Sequence, residues 1–328
     1  MRIVTKVKNN NDKTVEFKDF SSEYFNFHKG SWTNYFDNAK SGLEDLIPGY
    51  QNLELNLIND LINNFEDIIK AAPTDIPQLI TKFTTGQYTN VLIDAADNRT
   101  DLCVEIENKF NYKDFRKSAK ASWFCEKLAV RACLYCNAQF TLAVGKSGSA
   151  KKLLFQLDHY HTRRKYPFLS LTMGNLIPCC SSCNIAKSKK DFGSANFFHP
   201  YLEDISANFT FRVDEENILK YLVEKRDEQL LEPTIQFTDK RVSNHIREFR
   251  LDHIYNKHTD IVEELVLKFL YYNDSKILEL RTAFSDLKLD KSTIDRFILG
   301  NYTLDSEINN RPLSKLSKDI GKQLKIIK

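Results

Sequence analysis

The sequence predicts an α+β protein, with helical flanks around a short strand-rich centre held by a metal ion. Three observations carry this. Before about residue 130 and after about residue 240, apolar residues recur at helical spacing. Between these regions, short runs of β-branched and aromatic residues alternate with Gly, Ser and Pro. Two Cys-x-x-Cys pairs, Cys133/Cys136 and Cys180/Cys183, bracket the centre. The expected division is 1–130, helical; 131–200, the metal-held core; and 201–328, mixed and then helical.

A chain of 328 residues can bury a sizeable core and form one to three domains. With 42% hydrophobic and 28% charged residues, it reads as an ordinary globular chain. It has no run of about 18 apolar residues, so no membrane span is expected. The opening MRIVTKVKNNNDK lacks a signal-peptide core, and a cytoplasmic location is the expectation. The net charge of +3 hides a skew. Lys146 to Lys190 carries nine basic residues and one acidic residue, Asp158, so the rest of the chain is net negative. A local basic patch of this kind suits a polyanionic partner; a solvated basic face is the plainer alternative.

Taken in order, an extended piece opens the chain, from MRIVTKV to TVEF. In LELNLINDLINNFEDIIKAAP, residues Leu57, Ile58, Leu61, Ile62, Phe65, Ile68 and Ile69 share one helical face, and Pro73 follows the end. A further helix is expected near Thr74 and Pro77. YKDFRKSAKASWFCEKLAV reads as one helix leading to Cys133. AQFTLAV and KLLFQL read as a hairpin around GKSGSAKK, and SSCNIAKSKKDF as a short helix from Ser181 or Ser182. NFTFRV, LKYLVEK and PTIQFT look like strands. TDIVEELVLKFLYY is the clearest C-terminal helix, with Ile261, Leu265, Phe269 and Tyr272 on one face. The tail RPLSKLSKDIGKQLKIIK reads as a basic amphipathic helix. It has two readings: packed on its own domain, or docking a larger subunit.

Each Cys-x-x-Cys places two thiolates on one knuckle, and two knuckles give the four soft ligands of tetrahedral zinc. A redox pair or four unrelated core cysteines are the alternatives. The gap from Cys136 to Cys180 exceeds that of a common zinc ribbon, so a functional insertion lies between the knuckles. Cys180, which keeps the two-residue gap to Cys183, is chosen over Cys179. Cys103 and Cys125 stand alone.

Asp158 and His159 close an expected strand, and Asn184 follows the last cysteine at the start of a helix. Between them a hard cation, Mg²⁺ or Mn²⁺, could bind to oxygen ligands. A neutral His159 could then take a proton from water attacking a phosphodiester. Arg163, Arg164, Lys165, Lys187, Lys189 and Lys190 are expected to hold flanking phosphates. His161 reads as a polar neighbour, and His28, His245, His253 and His258 as ordinary core or surface residues.

Together, Cys133-x-x-Cys136, Asp158-His159, Asn175-Leu176, Cys180-x-x-Cys183-Asn184 and Lys187 resemble the HNH endonucleases. The resemblance implies a ββα-metal core with structural zinc. It makes His159 the general base, and Asn175 the residue that shapes the loop and orients that base. It also makes Asp158 and Asn184 the ligands of the catalytic Mg²⁺ or Mn²⁺. Thr162 departs from it, standing where that family often has proline. Products with 5′-phosphate and 3′-hydroxyl ends are implied. The wider stretches LDHYHTRRKYPFLSLTMGNLIPCCSSCN, FFHPYLED and NYTLDSEINNRPLSKLSKDI look similar to HNH proteins encoded beside ATPase genes in prokaryotic anti-phage defence, such as the Septu type. This implies an ATPase subunit as partner. The expected substrate is DNA. The alternatives are an RNA nuclease, for example against tRNA, and a non-catalytic zinc-stabilised nucleic-acid-binding module. The latter has no need for Asp158, His159 and Asn184 together.

Overall fold

The computed structural model describes residues 4, 6–8, 11, 13–27, 35–146, 151–193, 196–223, 227–272, 274–285 and 289–327. His28 and the tip of the expected turn, 147–150, lie outside them. The chain is mixed: helices and, among the described residues, two-stranded antiparallel sheets. It divides into two compact units, which differ from the three consecutive blocks read from the sequence. One comprises Val4–Ala129 and Thr141–Leu202; the other comprises Val130–Phe140 and Glu203–Lys328.

In the first unit, Lys6–Lys8 (β1) pairs with Thr14–Glu16 (β2). The helices Asn52–Asn63 and Phe65–Lys70 replace the single expected helix, with a break at Asn64. The apolar face still holds, because Leu57, Ile58, Leu61, Phe65, Ile68 and Ile69 are buried. Helix Ile76–Thr84 has Pro77 in its first turn, where the missing N–H costs nothing. The expected helix before Cys133 is also two, Tyr112–Phe115 and Ala119–Leu128. Ser118 makes the break: its Oγ accepts from Ala121 N and so caps a new helix. The hairpin is present but short, Ala143–Val144 (β3) against Lys152–Leu153 (β4).

This helical layer packs on the loop 160–175. Tyr24 Oη donates to Leu171 O at 2.9 Å, and the rings of Phe83 and Phe168 meet edge-on at 5.4 Å. Gly174 N donates to Ala71 O at 3.0 Å. A Cβ on Gly174 would stand 2.6 Å from Pro73 N and 2.7 Å from Ala71 O, so the approach needs glycine.

In the second unit, Phe209–Arg212 (β7) pairs with Thr234–Phe237 (β8). LKYLVEK is not a strand: Glu215–Val223 is a helix that buries Ile218 and Tyr221, three residues apart. Asp214 Oδ1 accepts from Asn217 N and starts it. Helix Thr259–Tyr271 buries Val262, Leu265 and Val266, while Phe269 is 42% exposed. The buried stripe is therefore turned from the expected one.

The tail forms helix Ser314–Gln323, which is largely buried, as the packed reading expects. Leu316 and Ile320 are fully buried, and the intervening Lys315, Ser317, Lys318 and Asp319 are buried too. Asp319 Oδ2 accepts from Phe211 N at 2.9 Å and Gln323 Oε1 from Val213 N at 3.0 Å. A Cβ on Gly321 would come 2.8 Å from Leu299 Cδ2. Lys322 is exposed and Gln323 half-buried at its C-terminal end.

No helix among the described residues is long and apolar enough to cross a membrane.

Candidate active site and cysteine cluster

Gln156–His159 (β5) pairs antiparallel with Leu176–Cys179 (β6), placing Asp158 opposite Ile177 and His159 opposite Leu176. Pro178 contributes no N–H to the ladder, which a two-stranded sheet tolerates because both strands are edges. Helix Ser181–Lys187 follows β6 at once. Its N-cap is Cys180, whose Sγ accepts from Cys183 N at 3.4 Å. Asn184 and Lys187 lie three residues apart and so share a face. The helix stops at Ser188, with φ 52° and ψ −125°. L-residues rarely adopt that conformation.

These elements enclose a cleft of about 240 Å³. Asp158 and His159 line it from β5, and Asn184, Lys187 and Ser188 from the helix. Tyr112, Thr162 and Arg163 close it. Neighbours on a strand ordinarily face opposite ways, but at the end of β5 both Asp158 and His159 reach the cleft.

His159 is held in one tautomer. Its Nε2 lies 2.9 Å from Ser170 O, and a carbonyl oxygen only accepts, so Nε2 carries the proton and Nδ1 the lone pair. Burial, with the neighbouring Arg163 charge, pushes its pKa down to about 3, so the ring is neutral near pH 7. The Tyr112 ring stands edge-on to the imidazole at 4.4 Å, and the Tyr112 hydroxyl donates to Leu157 O.

Asn175 is fully buried and does not line the cleft. Its Oδ1 accepts from His161 N at 2.7 Å, and its Nδ2 donates to His161 O at 3.0 Å and Leu169 O at 3.1 Å. It therefore clamps both ends of the loop, one residue from the carbonyl that orients His159. His161 is turned elsewhere. Its Nδ1 is 3.6 Å from Asp191 Oδ1, too long for a hydrogen bond but within ion-pair range. A Cβ on Gly193 would stand 2.1 Å from the His161 ring.

Lys187 differs most from its expected place. It is only 1% exposed. Its Nζ donates to His159 O at 2.6 Å and lies 3.2 Å from Asp158 Oδ2. Its ammonium is thus engaged inside the protein, and a flanking phosphate would have to displace one of these partners. The other basic residues are accessible. Arg163 pairs with Glu107 at 3.2 Å while its guanidinium lies 5.1 Å from the Tyr112 ring centre. Lys165 pairs with Asp97 at 2.9 Å, and Arg164, Lys189 and Lys190 are exposed.

The thiols of Cys133, Cys136, Cys180 and Cys183 are buried, with sulfur atoms all within 4.8 Å of one another. Four thiolates so placed can hold a metal such as zinc. Bonds of about 2.3 Å would set sulfurs about 3.8 Å apart, so little contraction is needed. Cys179 is buried within β6 and lies outside the cluster. The first knuckle is pinned by residues of its own unit. Asn137, at φ 54°, donates through Nδ2 to Ile308 O at 2.9 Å and accepts through Oδ1 from Lys315 N at 3.2 Å. Tyr255 Oη donates to Cys136 O at 2.7 Å, and His245 Nε2 to Tyr135 O at 2.7 Å.

Sequence reasoning missed Tyr112, Asn137 and Tyr255, whose contacts join residues far apart in the chain. Asn directly after a Cys-x-x-Cys was the one available hint at Asn137, since Asn tolerates the left-handed conformation.

No protein-family model, no curated protein and no solved structure matches this chain.

Proposed function

We propose that the protein is a metal-dependent phosphodiesterase of the HNH type, acting on nucleic acid and on DNA first. One observation carries the reading: Asp158, a tautomer-fixed neutral His159 and Asn184 line a single cleft. The oxygen donors Asp158 and Asn184 suit a hard divalent cation. A bound Mg²⁺ or Mn²⁺ would polarise the phosphate and stabilise the leaving oxygen. His159 Nδ1 accepts the proton of the attacking water, and Ser170 O holds the ring in that orientation. Asn175 acts as a positioning residue for the loop that carries Ser170. Arg163, Arg164, Lys165, Lys189 and Lys190 attract the flanking phosphates. The four cysteines hold zinc as a structural ion. From the sequence resemblance alone, we propose a role in anti-phage defence beside an ATPase subunit, for which co-purification with that subunit is the test.

The deciding experiment compares wild type with His159→Ala on DNA and RNA in Mg²⁺ or Mn²⁺. Cleavage should fall about 10²–10⁴-fold, with zinc content and nucleic-acid binding kept. Cleavage of RNA alone would reassign the substrate. Wild-type rates from His159→Ala would sink the mechanism. Binding without cleavage by the wild type would favour the binding module.

A further inference from the structure

Lys187 stands where a cation belongs. Its ammonium has the Asp158 carboxylate at 3.2 Å, the His159 carbonyl oxygen at 2.6 Å and the Phe192 ring centre at 4.9 Å. All three partners favour positive charge. The Asp158 and Lys187 side chains are only 5% and 2% exposed, so solvent screens their interaction little. The carboxylate that Lys187 neutralises is the one the proposed function assigns to a divalent ion. Both residues line the same cleft. Two cations sharing one buried carboxylate repel each other more strongly than they would in water.

We propose that Lys187 is a built-in competitor of the divalent metal at Asp158, one that keeps metal affinity low until a polyanion enters the cleft. The proposal rests on the assignment of Asp158 as a metal ligand. The phosphates of a bound nucleic acid offset the surplus positive charge, so the metal and the nucleic acid each tighten the binding of the other. Lys187 thereby ties loading of the metal to arrival of the substrate. It accounts for a buried lysine that no phosphate-anchoring role explains.

The test is Mn²⁺ titration, followed by electron paramagnetic resonance, on the full-length, zinc-loaded protein carrying His159→Ala so that nucleic acid stays intact. Adding Lys187→Met, which removes the charge but keeps the chain length, should tighten Mn²⁺ binding at least tenfold. It should also shrink the further tightening seen on adding a DNA duplex or, in a parallel titration, single-stranded RNA. Adding Asp158→Asn to Lys187→Met should abolish the gain. Equal or weaker Mn²⁺ binding by the Lys187→Met protein overturns the proposal. If Lys187→Met does not fold, Lys187→Gln takes its place and the Mn²⁺-induced rise in melting temperature is read. A larger rise than with Lys187 supports the proposal, and an equal or smaller one overturns it. The two readings can fail separately. Cleavage by the unsubstituted protein without tighter Mn²⁺ binding in the variant removes this proposal and leaves the nuclease. Tighter binding in the variant without cleavage of DNA or RNA does the reverse.

Discussion

Two buried lysine–carboxylate pairs invite comparison, Lys187–Asp158 at the cleft and Lys315–Asp319 in the C-terminal helix. Both are almost fully enclosed, with side chains no more than 8% exposed. Lys315 and Asp319 are one helical turn apart, and Nζ lies 2.8 Å from Oδ1 and 2.7 Å from Oδ2. Asp319 Oδ2 also accepts from Phe211 N, fastening β7 to the helix. Burial raises the Asp319 pKa, an effect that Lys315 opposes without cancelling. Lys187 and Asp158 come from different elements and line an open cleft. The first pair is enclosed by structure. The second faces a space that a ligand can enter. A buried ion pair thus reads as architecture or as chemistry according to what lies beside it, and its burial alone does not say which.

The largest expected effect tests whether the cleft pair depends on the cysteine cluster. Structural zinc contributes on the order of 10 kcal/mol of apparent binding free energy in small domains. Cys180→Ser should therefore lose the metal and unfold the site helix, while Cys179→Ser keeps the metal. Elemental analysis and thermal unfolding of both proteins check this, and equal metal loss in the two would sink the ligand assignment.

Next comes the contrast between the pairs themselves. Asp319→Ala strands a buried ammonium and should cost about 3–5 kcal/mol of stability, leaving cleavage per folded molecule unchanged. Asp158→Ala should lose cleavage as well. Urea unfolding combined with active-fraction assays separates the two. If Asp319→Ala abolishes turnover in folded protein, the distinction between the pairs collapses.

The smallest effect is a pH dependence. Burial pushes the pKa of His199 down to about 3 and that of His245 to about 4. Both are therefore neutral when folded, and below about pH 6.5 the unfolded chain binds their protons first. Stability should then fall as pH drops from about 6.5, by up to about 1.4 kcal/mol per pH unit for each histidine. His199→Gln should remove one such contribution from the slope of unfolding free energy against pH, and an unchanged slope would count against it.

Much of the candidate site was legible because its signals are local. Asp158-His159 at a strand end, Asn184 after the last cysteine, and the choice of Cys180 over Cys179 follow from spacing along a few residues. What was not legible depends on distant contacts. Nothing near Tyr112 marks it as a cleft wall, since it meets His159 across the fold. Lys187 stands in a run of lysines and reads as a phosphate contact; Asp158 Oδ2 and His159 O, far from it in the chain, hold it inside the fold. LKYLVEK carried strand propensity, but its apolar residues also fit a helix, and Asp214 at the cap decided between them. The tail was read correctly as amphipathic. Much of the helix is buried, and a helical pattern alone cannot say which surface covers it.

Cys180 has a consequence for when the cleft exists at all. The same sulfur that belongs to the four-thiol cluster also closes the first turn of the Ser181–Lys187 helix. A segment of seven residues is far too short to remain helical in water on its own. The beginning of this helix is therefore shared with whatever ion the thiols carry. Oxidants that capture those thiols, or scarcity of the ion, would act at the same atom that sets Asn184 and Lys187 in place. The supply of a soft metal in the cell would then govern a cleft that the metal never touches.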